Sequence, residues 1–215
     1  MKKVWFIINL PRIVIAYILY CLSPNKDTIT EDLLRWFTVY ELKESEFEGL
    51  AFLLLYKKEF RNLFSYRLKM KKRIYSIAFE IMFKPMESLF IYCTDIGSGL
   101  FIQHGFATVI AAKSVGKNCW VNQQVTIGWN ENTCPIIEDN CHICAGAKVI
   151  GGVVVGHDSI IGANAVVVKN VPANEVWGGT SSSIEIGGTK KGIKADECEE
   201  HIKYVYETYY IWKKS

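Results

Sequence analysis

The chain has 215 residues, enough to bury a substantial core in one large domain or two small ones. Half of them are hydrophobic, which excludes a disordered polymer. Its 25 basic against 22 acidic side chains leave a formal charge of +3, too slight to point to a nucleic-acid partner.

The first segment, residues 4–22, reads VWFIINLPRIVIAYILYCL. It is apolar and about long enough to span a bilayer. Pro11 and Arg12 sit at its middle, where a charge is costly, and the following CLSPNK makes a poor signal-peptide cleavage site. Three readings stay open: a buried helix pair, a helix lying on a membrane surface, and a true anchor.

Up to about residue 90 apolar residues recur at helical spacing. Leu50, Leu53, Leu54, Lys57, Phe60, Arg61 and Phe64 make an apolar stripe flanked by bases. Ser45 and Glu48 stand at capping-box spacing just before it, and Pro85 is placed to end the last helix. The basic run KMKKR, residues 69–73, joins Lys57, Lys58, Arg61 and Arg67 in a region interleaved with aromatics. Such a region is either a solvated face or a surface attracted to anionic lipid.

Beyond residue 90 the period changes. Val109, Val115, Val121 and Ile127 are spaced by six, and so are Ile137, Ile143, Val149, Val155, Ile161 and Val167. Small residues follow most of them, including Gly116, Gly128, Gly156 and Gly162. Hexapeptide repeats predict a parallel β-helix with one inward aliphatic residue per hexad and three hexads per triangular coil. No coil buries its own face, so several must stack. The period breaks twice. Ile102 to Val109 is seven residues, one too many, beside His104. Ile127 to Ile137 is ten, four too many, in GWNENTCPI. Insertions in a solenoid map to surface loops and often to the binding face. Residues 172–194 read as a loop and 196–214 as a helix whose acids precede its lysines, as the helix dipole favours. The organisation is therefore mainly β with α: an α-helical region over 1–86, a hexapeptide-repeat β-helix over 87–180, and a C-terminal loop and helix over 181–215.

The seven cysteines, at 21, 93, 119, 134, 141, 144 and 198, form no secretory framework. Cys141 and Cys144 make a C-x-x-C without a second pair at zinc-site spacing. They read as small residues of a reducing compartment, which predicts a cytoplasmic protein, with peripheral attachment to the inner face of the membrane left open.

The stretches IGSGLFIQHG, VNQQVTIG and HICAGAKVIGGVVVGHDSIIGANAVVVKNVP resemble the serine acetyltransferase group of hexapeptide-repeat acyltransferases. The resemblance covers roughly residues 85–180, and the helical start with EFRNLFSYRLK is similar to the shorter members linked to capsule and exopolysaccharide synthesis. It implies a left-handed helix, a homotrimer or a dimer of trimers, and acetyl-CoA as co-substrate in a groove between subunits, with no metal. It makes His104 the general base. An imidazole, with an ordinary pKa of about 6.5, can take the proton of a hydroxyl as it attacks a thioester. It sets Gly128, Ala145, Gly146 and Ala163 along the CoA groove, with Lys190, Lys191 and Lys194 within reach of the nucleotide phosphates.

The departures are on the acceptor side. Gln103 stands where the family has the aspartate of an Asp-His pair. Leu89 stands where a second aspartate orients the histidine, leaving Glu87 and Asp95 as nearby substitutes. Thr133, Cys134 and Pro135 stand where the family has Arg-His-Pro. Gln103, Trp129 and Cys134 are thus the candidate acceptor-binding residues. The expectation is acetyl transfer to a sugar hydroxyl in surface polysaccharide synthesis, with serine O-acetylation of cysteine biosynthesis as the alternative. Three rivals remain: a zinc enzyme using His142 and His157, nucleophilic catalysis by Cys134 or Cys144, and a scaffold without activity.

Overall fold

The computed structural model describes residues 3–70, 73–178 and 193–194. Five helices come first: α1 Lys3–Cys21, α2 Lys26–Tyr40, α3 Glu46–Tyr56, α4 Lys58–Lys69 and α5 Arg73–Met82. Helix α1 is one helix with Pro11 inside it, so the expected pair is a single element. It buries Ile13, Ala16 and Tyr20 against the body of the protein. Among the described residues no helix is long and apolar enough to cross a membrane. The capping box forms as its spacing predicts. The Ser45 hydroxyl accepts from the Glu48 N–H, and the Glu48 carboxylate accepts from the Ser45 N–H. The apolar stripe beyond it is divided between α3 and α4, because Lys57 is extended, with φ −120° and ψ 96°. Pro85 follows the end of α5 at Met82.

The repeats build five coils of parallel β-helix. The first holds β1 Leu89–Ile91, β2 Asp95–Ile96 and β3 Phe101–Ile102. The second holds β4 Thr108–Ile110, β5 Ser114–Val115 and β6 Trp120–Val121, and the third β7 Thr126–Gly128, β8 Ile136–Ile137 and β9 His142–Ile143. The fourth holds β10 Lys148–Ile150, β11 Val154–Val155 and β12 Ile160–Ile161. The fifth holds β13 Val166–Val167, a bridge from Val171 to Val155, and β14 Glu175–Trp177. Equivalent strands stack into three walls, β1-β4-β7-β10-β13, β2-β5-β8-β11 and β3-β6-β9-β12-β14. Within the stretch expected to be loop, β14 adds to the third wall, and β15 Ile193–Lys194 pairs with β14 antiparallel. The helix expected over 196–214 lies outside the described residues.

Ile102, Val115, Val121, Ile127, Ile137, Ile143, Val149, Val155, Ile161 and Val167 are all buried, each worth about 1.5–3 kcal/mol. One expected inward residue is displaced. In β4 the buried positions are Thr108 and Ile110, and Val109 is only half-buried. Ile110 aligns with Ile127, and Ile102 with Val121. The step of eight residues therefore lies over one of six, and the chain carries two extra residues at His104 rather than one. At the second-to-third-wall corner the next coil comes so close that a Cβ on Gly156 would stand 2.4 Å from Ala173 N. Only glycine fits there.

The helical region and the coils share one core. Trp36 of α2 packs against Phe60 of α4 and Phe101 of β3, with ring centroids 5.1 and 4.7 Å apart. Its Nε1–H donates to Leu100 O at 2.9 Å. Asn62 of α4 clamps the entry to β1: its amide donates to Met86 O and Leu89 O, both at 3.0 Å, and its oxygen accepts from Met86 N–H at 2.7 Å.

Candidate active site

The two extra residues of the second coil make a bulge at the corner between the third and first walls. His104, Gly105 and Phe106 lie opposite the single residue Gln123, since Gln103 is level with Asn122 and Ala107 with Gln124. His104 is exposed and takes a left-handed backbone, φ 59°, as Asn118, Gln124, Asn140, Asp158 and Asn164 do at other turns of the coils. The Phe106 N–H turns back to donate to His104 O.

Stacking continues this corner down the prism. Gln123 is level with Ala145 and Ala145 with Ala163. Successive coils lie about 4.8 Å apart, so Ala145 is on the order of 10 Å from the His104 turn and Ala163 about 5 Å further. Gly146 has φ +74°, and a Cβ there would meet Asn164 Oδ1 at 2.0 Å. The edge thus starts at an exposed imidazole and runs over small side chains.

Gln103 faces along the third wall. Its Oε1 accepts from Trp120 Nε1–H at 3.2 Å and from Asn122 Nδ2–H at 3.0 Å. Asn122 Oδ1 in turn pairs with His142 Nε2 at 2.9 Å. Burial, and then the charge of Arg35, push the His142 pKa down to about 4, so this imidazole is neutral and donates to Asn122. An amide at position 103 suits this network, where a carboxylate would have charged it.

The remaining candidates fall elsewhere. Gly128 ends β7, and Trp129, 59% exposed, and half-buried Cys134 lie in the loop between the first and second walls, closed by an Asn130–Thr133 bridge. Within one chain this is a different edge from that of His104. Glu87 is 77% exposed and paired with Lys84. Lys190 and Lys191 lie outside the described residues.

Two residues near His104 escaped the sequence reading. Gln123 has no unusual spacing, yet its Oε1 is buried and meets no donor. Glu59, 45 positions before the histidine, lies against the bulge: its Cγ is 3.0 Å from where a Gly105 Cβ would stand, and Leu89 Cδ2 meets the same point at 3.0 Å. A capping-type acid in the first turn of α4 is the only sequence signal for Glu59, and it points to the helix rather than to the site.

Among the described residues no three His, Cys, Asp or Glu side chains are grouped to hold a metal. His142 lies on the third wall, and His157 pairs with Asp158 at another corner. The six described cysteines are free. Burial raises the Cys144 thiol to about 11, which disfavours the thiolate a nucleophile needs.

Residues 134–169 match the family model for bacterial transferase hexapeptide (six repeats). The chain is 41% identical over 83 residues to serine acetyltransferase of Staphylococcus aureus (strain Mu50 / ATCC 700699), covering 36% of this chain and 39% of the relative. It is 28% identical over 164 residues to serine acetyltransferase of Buchnera aphidicola subsp. Acyrthosiphon pisum, covering 71% and 60%. The matches thus span about two fifths and three fifths of these relatives' length. A solved serine acetyltransferase in complex with CoA superposes with a TM-score of 0.60 at 26% identity, over 78% of this chain and 72% of that one. The fold is the left-handed parallel β-helix of those enzymes, preceded by helices.

Proposed function

We propose that the protein transfers an acetyl group from acetyl-CoA to the hydroxyl of serine, with His104 as general base. The observation that carries this reading is the edge itself: an exposed imidazole on a left-handed turn, followed by Gln123, Ala145, Gly146 and Ala163. The edge fits an extended pantetheine arm, because small side chains let it approach the backbone and the buried Gln123 Oε1 can accept one of its amide N–H groups. The His104 imidazole takes the hydroxyl proton as the oxygen attacks the thioester carbonyl. Backbone N–H groups of the corner stabilise the oxyanion. The C–S bond then breaks, and the imidazolium returns the proton to the departing thiolate. Ester and free thiol result, and no acyl-enzyme forms.

The acceptor is revised from the sequence-based expectation. The relatives and structures described above are serine acetyltransferases, and none supports a sugar in polysaccharide synthesis. In the homotrimer that we propose, alone or paired into a dimer of trimers, the loop with Gly128, Trp129 and Cys134 from one subunit faces the His104 edge of the next. Such a chain works in the cytoplasm, where acetyl-CoA is made. Thiol release from acetyl-CoA with serine and with a sugar panel, for the native protein and His104→Ala, tests the reading. Release with serine that His104→Ala abolishes is expected; equal release by both proteins overturns it.

A second reading concerns location. The exposed residues of α1 from Trp5 onward are Trp5, Ile7, Ile8, Leu10, Pro11, Val14, Ile15, Ile18 and Cys21, without a charge among them. Ile7 and Ile8 are each 65% exposed. Neighbouring α5 exposes Ile74, Ile77 and Ile81 on one stripe, beside exposed Lys69 and Arg73. A helix apolar on both faces needs a cover, and the flanking bases favour anionic lipid. Sedimentation with phosphatidylserine vesicles, lost in Ile8→Asp and weakened in Lys69→Glu/Arg73→Glu, is expected. Failure to sediment, with Ile8→Asp instead halving the oligomer, overturns this in favour of a second copy as the cover.

A further inference from the structure

We propose that the site recognises its acceptor through a carboxylate, with the Gln103 amide as donor, and that the acceptor's amino group is dispensable. The acceptor class is then short hydroxy carboxylates, of which serine is one member. The inference deepens the proposed function and rests on it.

The neighbours of Gln103 fix which way its amide points. An indole N–H can only donate, so the Gln103 atom that faces Trp120 Nε1 must be the oxygen. Asn122 Nδ2–H donates to that same oxygen, which turns Asn122 Oδ1 towards His142 Nε2. Burial holds His142 neutral, so its Nε2–H is the donor that completes the chain. Reversing Gln103 would set its amide N–H groups against the Trp120 donor. Both lone pairs of Gln103 Oε1 are therefore used, and Nε2 has no partner among the described residues. Beside His104, Gln103 can offer a ligand only N–H donors.

A donor at this place selects what it can bind. An ammonium has three donors and no acceptor, whereas a carboxylate is acceptor only. The charges on this corner favour the same group. Arg35 of α2 lies over Trp120, with Cζ 6.0 Å from the ring centroid, and its charge reaches His142. Its Nε is buried without a hydrogen-bond partner, and it makes no ion pair among the described residues. The nearby acids are committed elsewhere: the Glu59 charge acts on Arg61, and Glu87 pairs with Lys84 in solvent. This corner of the chain thus presents an amide donor and a cation to the acceptor, and no carboxylate set aside for an ammonium.

The test measures kcat/KM of the full chain with acetyl-CoA and four acceptors. Besides L-serine, glycerate and 3-hydroxypropionate keep the carboxylate and lack the ammonium, while L-serinamide keeps the ammonium and lacks the carboxylate. Glycerate and 3-hydroxypropionate are expected within about tenfold of L-serine, and L-serinamide lower by about 100-fold or more. Gln103→Glu keeps an oxygen for Trp120 and Asn122 and exchanges the free donor for a charged acceptor. It should cost glycerate about tenfold or more and raise L-serinamide, with KM for acetyl-CoA unchanged. Arg35→Gln should raise KM for glycerate and leave KM for acetyl-CoA as it was. Activity with L-serine and L-serinamide but not with glycerate or 3-hydroxypropionate overturns the proposal, and so does an unchanged acceptor order in Gln103→Glu. If His104→Ala leaves thiol release intact, the proposed function fails instead. Calorimetric binding of glycerate against L-serinamide, to the native protein and Gln103→Glu, then still decides which group the site holds.

Discussion

Arg67 Nε donates to Asp32 Oδ2 at 2.8 Å, and the two side chains are only 4% and 1% exposed. The pair joins α2 to α4 and both to the first coil. The Arg67 guanidinium also donates to Ile96 O and Gly97 O, and Asp32 Oδ1 accepts from Gly99 N–H at 2.7 Å. The helices that carry Glu59 are thereby fixed to the coils that carry His104.

Removing one partner leaves a buried charge without compensation. Asp32→Ala is expected to cost about 3–5 kcal/mol, and Asp32→Leu with Arg67→Met clearly less. Urea unfolding of the three proteins measures it. Equal costs for the single and double variants would refute the pairing argument.

Acid should destabilise the protein through His142. Burial lowers its folded-state pKa to about 4, against about 6.5 unfolded. Below 6.5 the unfolded chain binds more protons, so the contribution is full above 6.5 and is lost as pH falls towards 4. The loss is about 2 kcal/mol by pH 5. Chemical unfolding at pH 7 and pH 5 should show it, and His142→Phe should flatten the difference.

His104→Ala should lower kcat by about 10²–10⁴, the usual worth of a positioned base, while acetyl-CoA still binds. Calorimetry with CoA and steady-state kinetics separate the two effects. A weakened CoA affinity with normal kcat would give His104 a binding role only.

Gly105→Ala should harm both stability and turnover. A methyl there meets Glu59 Cγ, Leu89 Cδ2 and Ile102 Cγ2 at 3.0–3.1 Å, and relieving such crowding costs about 1–3 kcal/mol. A kcat that falls further than the melting temperature suggests would report displacement of the bulge.

Ala145→Leu places bulk on the edge below Gln123 without touching the His104 turn. KM for acetyl-CoA should rise about tenfold or more with kcat little changed, because only uniform binding is lost. An unaltered KM would move the pantetheine path elsewhere.

The amino-acid sequence determined what local period controls. A β-helix repeats one short strand and one turn, so each inward Val or Ile is visible at its own position, and the two breaks in the period marked both surface loops. The capping box at Ser45 was legible for the same reason, being complete within four residues. The tertiary structure decided what depends on neighbours in space. Val109 and Ile110 are both aliphatic, and only stacking against Ile127 turns Ile110 inward, hence two extra residues at the bulge. The approach of Glu59 to Gly105 joins a helix to a coil that the chain reaches 45 residues later, through the packing of α4 on β1 and the buried Asp32–Arg67 pair. No spacing rule encodes such a contact, because it follows from how two separately formed elements share one core.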